Sequence, residues 1–294
     1  MFHRLVPLLA ISAVALLSGC ASFDRIAPYP TPSKAETVAI VATPMSKMSE
    51  LPMGVFYDEP RHIIITGHQK GAGVGMMFGL VGVLVADQVN KSGAETRFGT
   101  TAQASKVDVG TILADVVKQE LDAGIAPGWS LQNAPAHVQL TPYALFTVLK
   151  SGQARLYAVL RAEVPGSDGK PKWSGRYFVR ADGERPVETA DGWMSGTYFA
   201  DGMHAALQQA VRTCAEDLQG KLTGTRTVKA RGIFPYLNTD TFELPFIVVK
   251  EDDQHLIAKL AAGDAMVMAG THVLNRADYK ITDAKFKDPR TSGN

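Results

Sequence analysis

Hydrophobic positions in this chain change their period several times, and each change marks an element. Leu5 to Leu17 is an uncharged apolar run behind Met1-Phe2-His3-Arg4. At about 13 residues it has the length of a signal-peptide core and falls short of the roughly 18 that a spanning helix needs. Ser22, Asp24, Arg25 and Pro28 end it quickly, and Pro28, Pro30 and Pro32 give residues 20–35 the composition of a flexible spacer. Two β-branched runs of strand length follow, Glu36 to Thr43 and Arg61 to Thr66.

From Asp108 to Ala123 the period becomes helical. Ile112, Val116 and Leu121 recur on one side with Leu113, Val117 and Glu120 beside them, Asp108 is placed as an N-cap and Gly124 follows the end. Three extended runs, His137 to Leu149, Ala154 to Val164 and Lys172 to Arg180, then read as a meander joined by turn-rich links. Thr197 to Leu222 is a second helix with Leu207, Ala210, Val211, Cys214 and Leu218 on one face. Past Gly224 the pattern predicts strands over Thr227 to Phe234, Phe242 to Lys250, Ala265 to Ala269 and His272 to Ile281, with a short helix near Gln254 to Ala261. The predicted fold class is α+β: a mixed or antiparallel sheet with two packed amphipathic helices, a glycine-rich apolar helix and a small β-rich C-terminal domain.

The glycine-rich element is Gly71 to Ala86, which carries no charge over 16 residues. Gly71, Gly75 and Gly79 fall four apart, so in a helix they line one face on which another backbone approaches closely. As a helix the segment rises about 24 Å against a hydrocarbon core of roughly 30 Å. A buried helix against the sheet, self-association and membrane contact all fit it. A dinucleotide fingerprint does not: from Gly71 it needs glycine at Met76, and from Gly73 at Phe78.

Composition narrows the rest. The 294 residues are 46% hydrophobic and 20% charged, with a formal net charge of +1. Such a chain buries a substantial core and shows no basic field for nucleic acid. The mature histidines, His62, His68, His137, His204, His255 and His272, are scattered without a metal-ligand spacing, and no nucleophile elbow occurs. No catalytic residue, metal site or cofactor is therefore expected. Trp173, Trp193, Tyr177, Phe178, Tyr198 and Phe199 read either as core aromatics or as a binding rim around residues 181–197.

Leu17-Ser18-Gly19-Cys20, closing the first apolar run, resembles a bacterial lipobox. The resemblance implies that Cys20 carries a diacylglyceryl group, that the chain is cut before it and that its new amino terminus is acylated. Two or more chains hold a protein stably on a bilayer, whereas one does not. Ala21 and Ser22 lack the aspartate that retains such lipoproteins in the inner membrane, so the implied location is the periplasmic face of the outer membrane. With Cys20 acylated, Cys214 has no partner within the chain and is either a small buried residue or one half of an intermolecular disulfide.

The element order is similar to the α+β domains of accessory envelope lipoproteins in transport and assembly systems. The expected organisation is a signal peptide (1–19), a lipidated flexible spacer (20–35), an α+β periplasmic domain (36–225), a small β-rich domain (226–286) and a disordered tail (287–294). The expected function is that of a non-catalytic interaction or assembly subunit, membrane-attached through Cys20, with a protein partner or a second copy of itself. A ligand-binding or hydrolytic lipoprotein with a site between the two domains is the alternative.

Overall fold

The computed structural model describes residues 27–32, 35–45, 50–52, 55–67, 108–126, 128–133, 136–167, 170–195, 197–236, 241–261 and 267–285. Cys20, His68, the glycine-rich segment with Gly71, Gly75 and Gly79, the signal peptide and the C-terminal tail lie outside them.

Alternation and β-branching build most of the chain. The strands are β1 (Glu36–Ile40), β2 (Phe56–Asp58), β3 (Ile63–Thr66), β4 (Trp129–Leu131), β5 (Val138–Val148), β6 (Ala154–Val164), β7 (Trp173–Arg180), β8 (Arg226–Gly232), β9 (Phe242–Glu251), β10 (His255–Leu260), β11 (Thr271–Asn275) and β12 (Lys280–Asp283). Helix α1 (Val109–Asp122) precedes β4 and α2 (Tyr198–Leu218) follows β7. All twelve strands belong to one mixed sheet in the order β12-β8-β9-β10-β11-β7-β6-β5-β1-β4, with β3 on the same edge of β5 as β1 and β2 beyond it.

This corrects the predicted α+β class. The fold is sheet-dominated, with two helices among the described residues, and the strands past Arg226 are no separate small domain. They join the rest where β11 pairs in parallel with β7, Thr271 opposite Tyr177 and Val273 opposite Val179. The residues expected to form a short helix near 254–261 make strand β10 instead, because Leu256, Ala258 and Leu260 alternate toward one apolar face. No linker marks the parallel crossover in the sequence, and a six-residue alternating run is short enough to pass for a helical turn.

The helices cover one face of the sheet. Val109, Leu113, Val116 and Val117 of α1 and Phe199, Met203, Leu207, Val211 and Leu218 of α2 pack with Leu140, Phe146, Leu156, Leu160, Tyr177 and Val179. The other face is also buried. The sheet twists and curls, so that Tyr143, Tyr157, Val159 and Phe178 share a second core with Phe234, Phe246, Val248, Leu256 and Leu274. Tyr157 and Tyr279 both donate their hydroxyls to the Ile233 carbonyl, at 3.3 and 2.9 Å, and the Tyr236 N–H donates to Thr147 Oγ1 at 3.3 Å. The chain after β8 thus reaches β5 across five intervening strands.

The capping of α1 follows the sequence reading. Asp108 Oδ1 accepts from the Gly110 N–H at 2.9 Å. At the other end Gly124 (φ +66) donates to Leu121 O and Ile125 donates to Glu120 O, both at 3.0 Å, which is a Schellman motif.

Candidate functional site

Three places gather polar side chains or exposed apolar groups, and each is made by the curl of the sheet. The first is the end where β1, β4, β5 and β7 begin. Residues 27–32 of the expected spacer lie across it. Trp173 Nε1 donates to the Ala27 carbonyl at 3.2 Å, and its ring meets the Tyr29 ring edge-on at 5.0 Å. Tyr29, only 3% exposed, donates its hydroxyl to Glu36 Oε1 at 3.0 Å, and Glu36 Oε2 lies 2.6 Å from His137 Nδ1. Burial first, and then the Glu36 carboxylate, push the Tyr29 phenol far above its ordinary value, so it stays a protonated donor. Further along, a Cβ on Gly220 (φ +68) would lie 3.0 Å from the Pro32 ring, so this segment runs from Trp173 to the C-terminal end of α2.

The Glu36 N–H donates to Gly128 O at 3.1 Å, which sets the α1–β4 turn at the same end. In that turn Ile125 is 45% exposed, one of four large hydrophobic side chains so placed among the described residues. The position after the glycine of a Schellman motif ordinarily packs its side chain back on the helix. Here its counterpart in the last turn is Glu120, a buried carboxylate held by Gln208 Nε2 at 2.7 Å and Arg212 Nε at 2.7 Å, so no apolar seat is provided.

The second place lies on the other face of the sheet. Arg161 and Arg176 stand opposite each other on β6 and β7 and are 4% and 1% exposed. Arg161 Nη1 donates to both oxygens of Glu50 at 3.1 Å, and Arg176 Nη2 donates to Glu50 Oε1 at 2.6 Å. Arg161 Nη2 reaches Thr43 O at 3.0 Å and Arg176 Nη1 reaches Val267 O at 2.7 Å. Glu163 sits 3.7 Å from Arg161 Nε; burial raises its carboxyl above the usual range against the pull of Arg161. Each of the four Nη atoms has an acceptor and only the two Nε atoms have none, so the arrangement works as a clamp holding Thr43 and Glu50 on the sheet.

The third place is a depression of about 140 Å³ between α2, β7 and β11, lined by Arg180, Asp182, Gln209, His255, Asn275 and Asp278 among others. It lies where the expected two domains were to meet. Arg180 is paired with Asp278 there, and His255 Nδ1 is 3.6 Å from Asp252 Oδ1. Ligand pockets usually hold roughly 300 Å³ or more, so this one takes a small group at most.

The remaining residues singled out in the sequence fall apart from one another. His62 is buried with φ +56, donates Nδ1 to Pro142 O at 2.9 Å and stacks on Tyr143. His272 is buried against Phe178 and Phe246. Trp193 is 2% exposed and donates Nε1 to Ala154 O at 2.8 Å, so it pins the 181–197 loop and does not line a rim. Cys214 is buried beside Tyr177 and Asp217, and burial drives its thiol far above the ordinary range. Among the described residues no group of three His, Cys, Asp or Glu is placed to hold a metal ion, and no helix is long and apolar enough to cross a membrane. Sequence reasoning missed Glu50, Arg161 and Arg176; the only signal was an arginine in the middle of each of two strands whose ends also carry Arg155, Glu163, Ser174 and Arg180.

No protein-family model matches this chain, and no curated protein matches it significantly.

Proposed function

We propose that this protein is a lipid-anchored envelope subunit that works by holding a folded interaction module close to the membrane, without chemistry of its own. The lipobox Leu17-Ser18-Gly19-Cys20 supplies the anchor, with Ala21 and Ser22 directing it to the periplasmic face of the outer membrane. The observation that carries the reading is the short distance along the chain from Cys20 to Ala27, where the backbone is already fixed by Trp173. A body docked seven residues after its lipid is carried by the bilayer and does not roam from it. The module offers a protein partner, or a second copy through Gly71, Gly75 and Gly79, a surface at a fixed height.

Metabolic labelling with a palmitate analogue tests the anchor. Label on the wild-type chain, lost in Cys20→Ser together with membrane sedimentation, supports the reading; an unlabelled chain with Cys20 intact overturns it. Replacing Gly75 and Gly79 with leucine tests the second copy: an unchanged oligomer size in detergent removes self-association from the proposal. The depression beside His255 favours a ligand-binding protein as the second reading, and a small-molecule screen that raises the melting temperature of wild type but not of His255→Leu supports it.

A further inference from the structure

We propose that the end of the sheet carrying Ala27, the Ile125 turn and Lys172 is a membrane-facing surface that rests on the lipid of the protein's own anchor. The inference deepens the lipoprotein reading and rests on acylation of Cys20.

Chain length carries the argument. Ala27 follows Cys20 by seven positions. Fully extended they span at most about 25 Å. The eleven residues of β5 run from this end to the far one, a distance of about 34 Å at strand rise. The tether is shorter than the body, so the body cannot stand upright on its far end, with the β5–β6 hairpin at Ser151 against the bilayer, while Ala27 stays within reach of Cys20. The near end has no such restriction.

Chemistry at the near end agrees with that geometry. Ile125 stands out of its turn at 45% exposure although that turn is fixed by the two hydrogen bonds of the Schellman motif. The hydrogen bonds Ala27–Trp173, Tyr29–Glu36 and Glu36–Gly128 tie that turn to the tether's point of entry. Lys172 just before β7 and Lys221 just after α2 are exposed at the same end, with Asp122 exposed among them. A rigidly held apolar side chain and lysines on the same end of the sheet suit the boundary between acyl chains and headgroups, where apolar groups seat and basic groups meet phosphate.

The test uses the full acylated chain in phosphatidylethanolamine–phosphatidylglycerol vesicles that contain a nitroxide lipid. Ile125→Cys and Ser151→Cys are each labelled with a bimane fluorophore; Cys214 is buried and Cys20 is blocked by its lipid. The expected result is a blue-shifted probe at position 125 quenched at least about twofold more than the probe at 151. Equal quenching at both positions, or stronger quenching at 151, on protein whose intact mass shows the acyl chains, overturns the orientation while leaving the anchor in place. A mass without acyl chains overturns the anchor and the orientation with it.

Discussion

Each face of the sheet buries an ion cluster, and the two are built to different charge rules. On the helix face Asp217 of α2 accepts from Tyr177 at 2.9 Å and from Lys259 at 3.0 Å. One cation meets one anion and a neutral phenol, and the cluster ties α2 to β7 and β10. On the opposite face Arg161 and Arg176 share the single carboxylate of Glu50, with Glu163 only loosely engaged. The first cluster closes on itself, whereas the second depends on a segment that arrives from over a hundred residues away. A buried ion pair often contributes little net stability, but removing one partner strands the other at several kcal/mol. The asymmetry therefore decides which residue is hardest to lose.

Glu50→Gln strands two guanidiniums and is expected to cost the most, about 4 to 5 kcal/mol in urea unfolding. A loss below about 1 kcal/mol would break the comparison, because it would mean that water or Glu163 already carries the arginine charge. Asp217→Asn strands one ammonium and is expected to cost about 3 kcal/mol. The contrast sharpens in a double variant: Asp217→Leu with Lys259→Met should return to within about 1 kcal/mol of wild type, since the pair is replaced whole. A double variant as unstable as the single one would show that Tyr177, left without its acceptor, was the sensitive group.

The charge of Arg176 on the second face reaches His272. Burial, and after it the neighbouring Arg176, lower its pKa to about 4, against the pull of the Met268 carbonyl. The unfolded chain takes up this proton near pH 6.5 and the folded chain only near 4, so stability is full above 6.5 and is lost progressively as pH falls to 4. The loss approaches about 3 kcal/mol. Thermal unfolding of His272→Phe at pH 7 and pH 4.5 checks it: the variant should lose part of the wild-type acid sensitivity while keeping the stack on Phe178. An unchanged acid slope would assign the sensitivity to the carboxylates.

Much of the framework was legible because it is local. Asp108 and Gly124 mark both ends of α1, and the alternation of Ala154 to Val164 gives β6 to the residue. What was not legible is non-local. The parallel pairing of β11 with β7 joins residues nearly a hundred apart, with no turn to announce it, so the C-terminal strands read as a separate unit. The Glu50 clamp was hidden for a related reason. Arg161 and Arg176 sit at inward positions by strand parity, yet the carboxylate that makes them tolerable comes from residues outside any strand. Ala27 to Pro32 read as spacer because three prolines favour an extended chain, and an extended chain is equally the shape that lies flat across a sheet end.

The smallest effect separates both buried clusters from a third pair that only resembles them. Glu120 is 1% exposed by side chain, but its partner Arg212 is 42% exposed, so solvent screens the attraction. Burial raises the Glu120 carboxyl, and the hydrogen bonds from Arg212 and Gln208 outweigh it and hold the group below its ordinary value. Arg212→Ala leaves Gln208 in place as a donor, and is expected to cost about 1 kcal/mol or less at pH 7. Its signature lies in acid. A carboxyl held low stabilises the fold above its unfolded pKa and loses that contribution as pH falls through the folded value, so the variant should unfold less steeply with acid than wild type below about pH 4.3. A cost as large as that of Glu50→Gln would mean that burial of the carboxylate alone, and not the number of cations it serves, sets the scale on both faces.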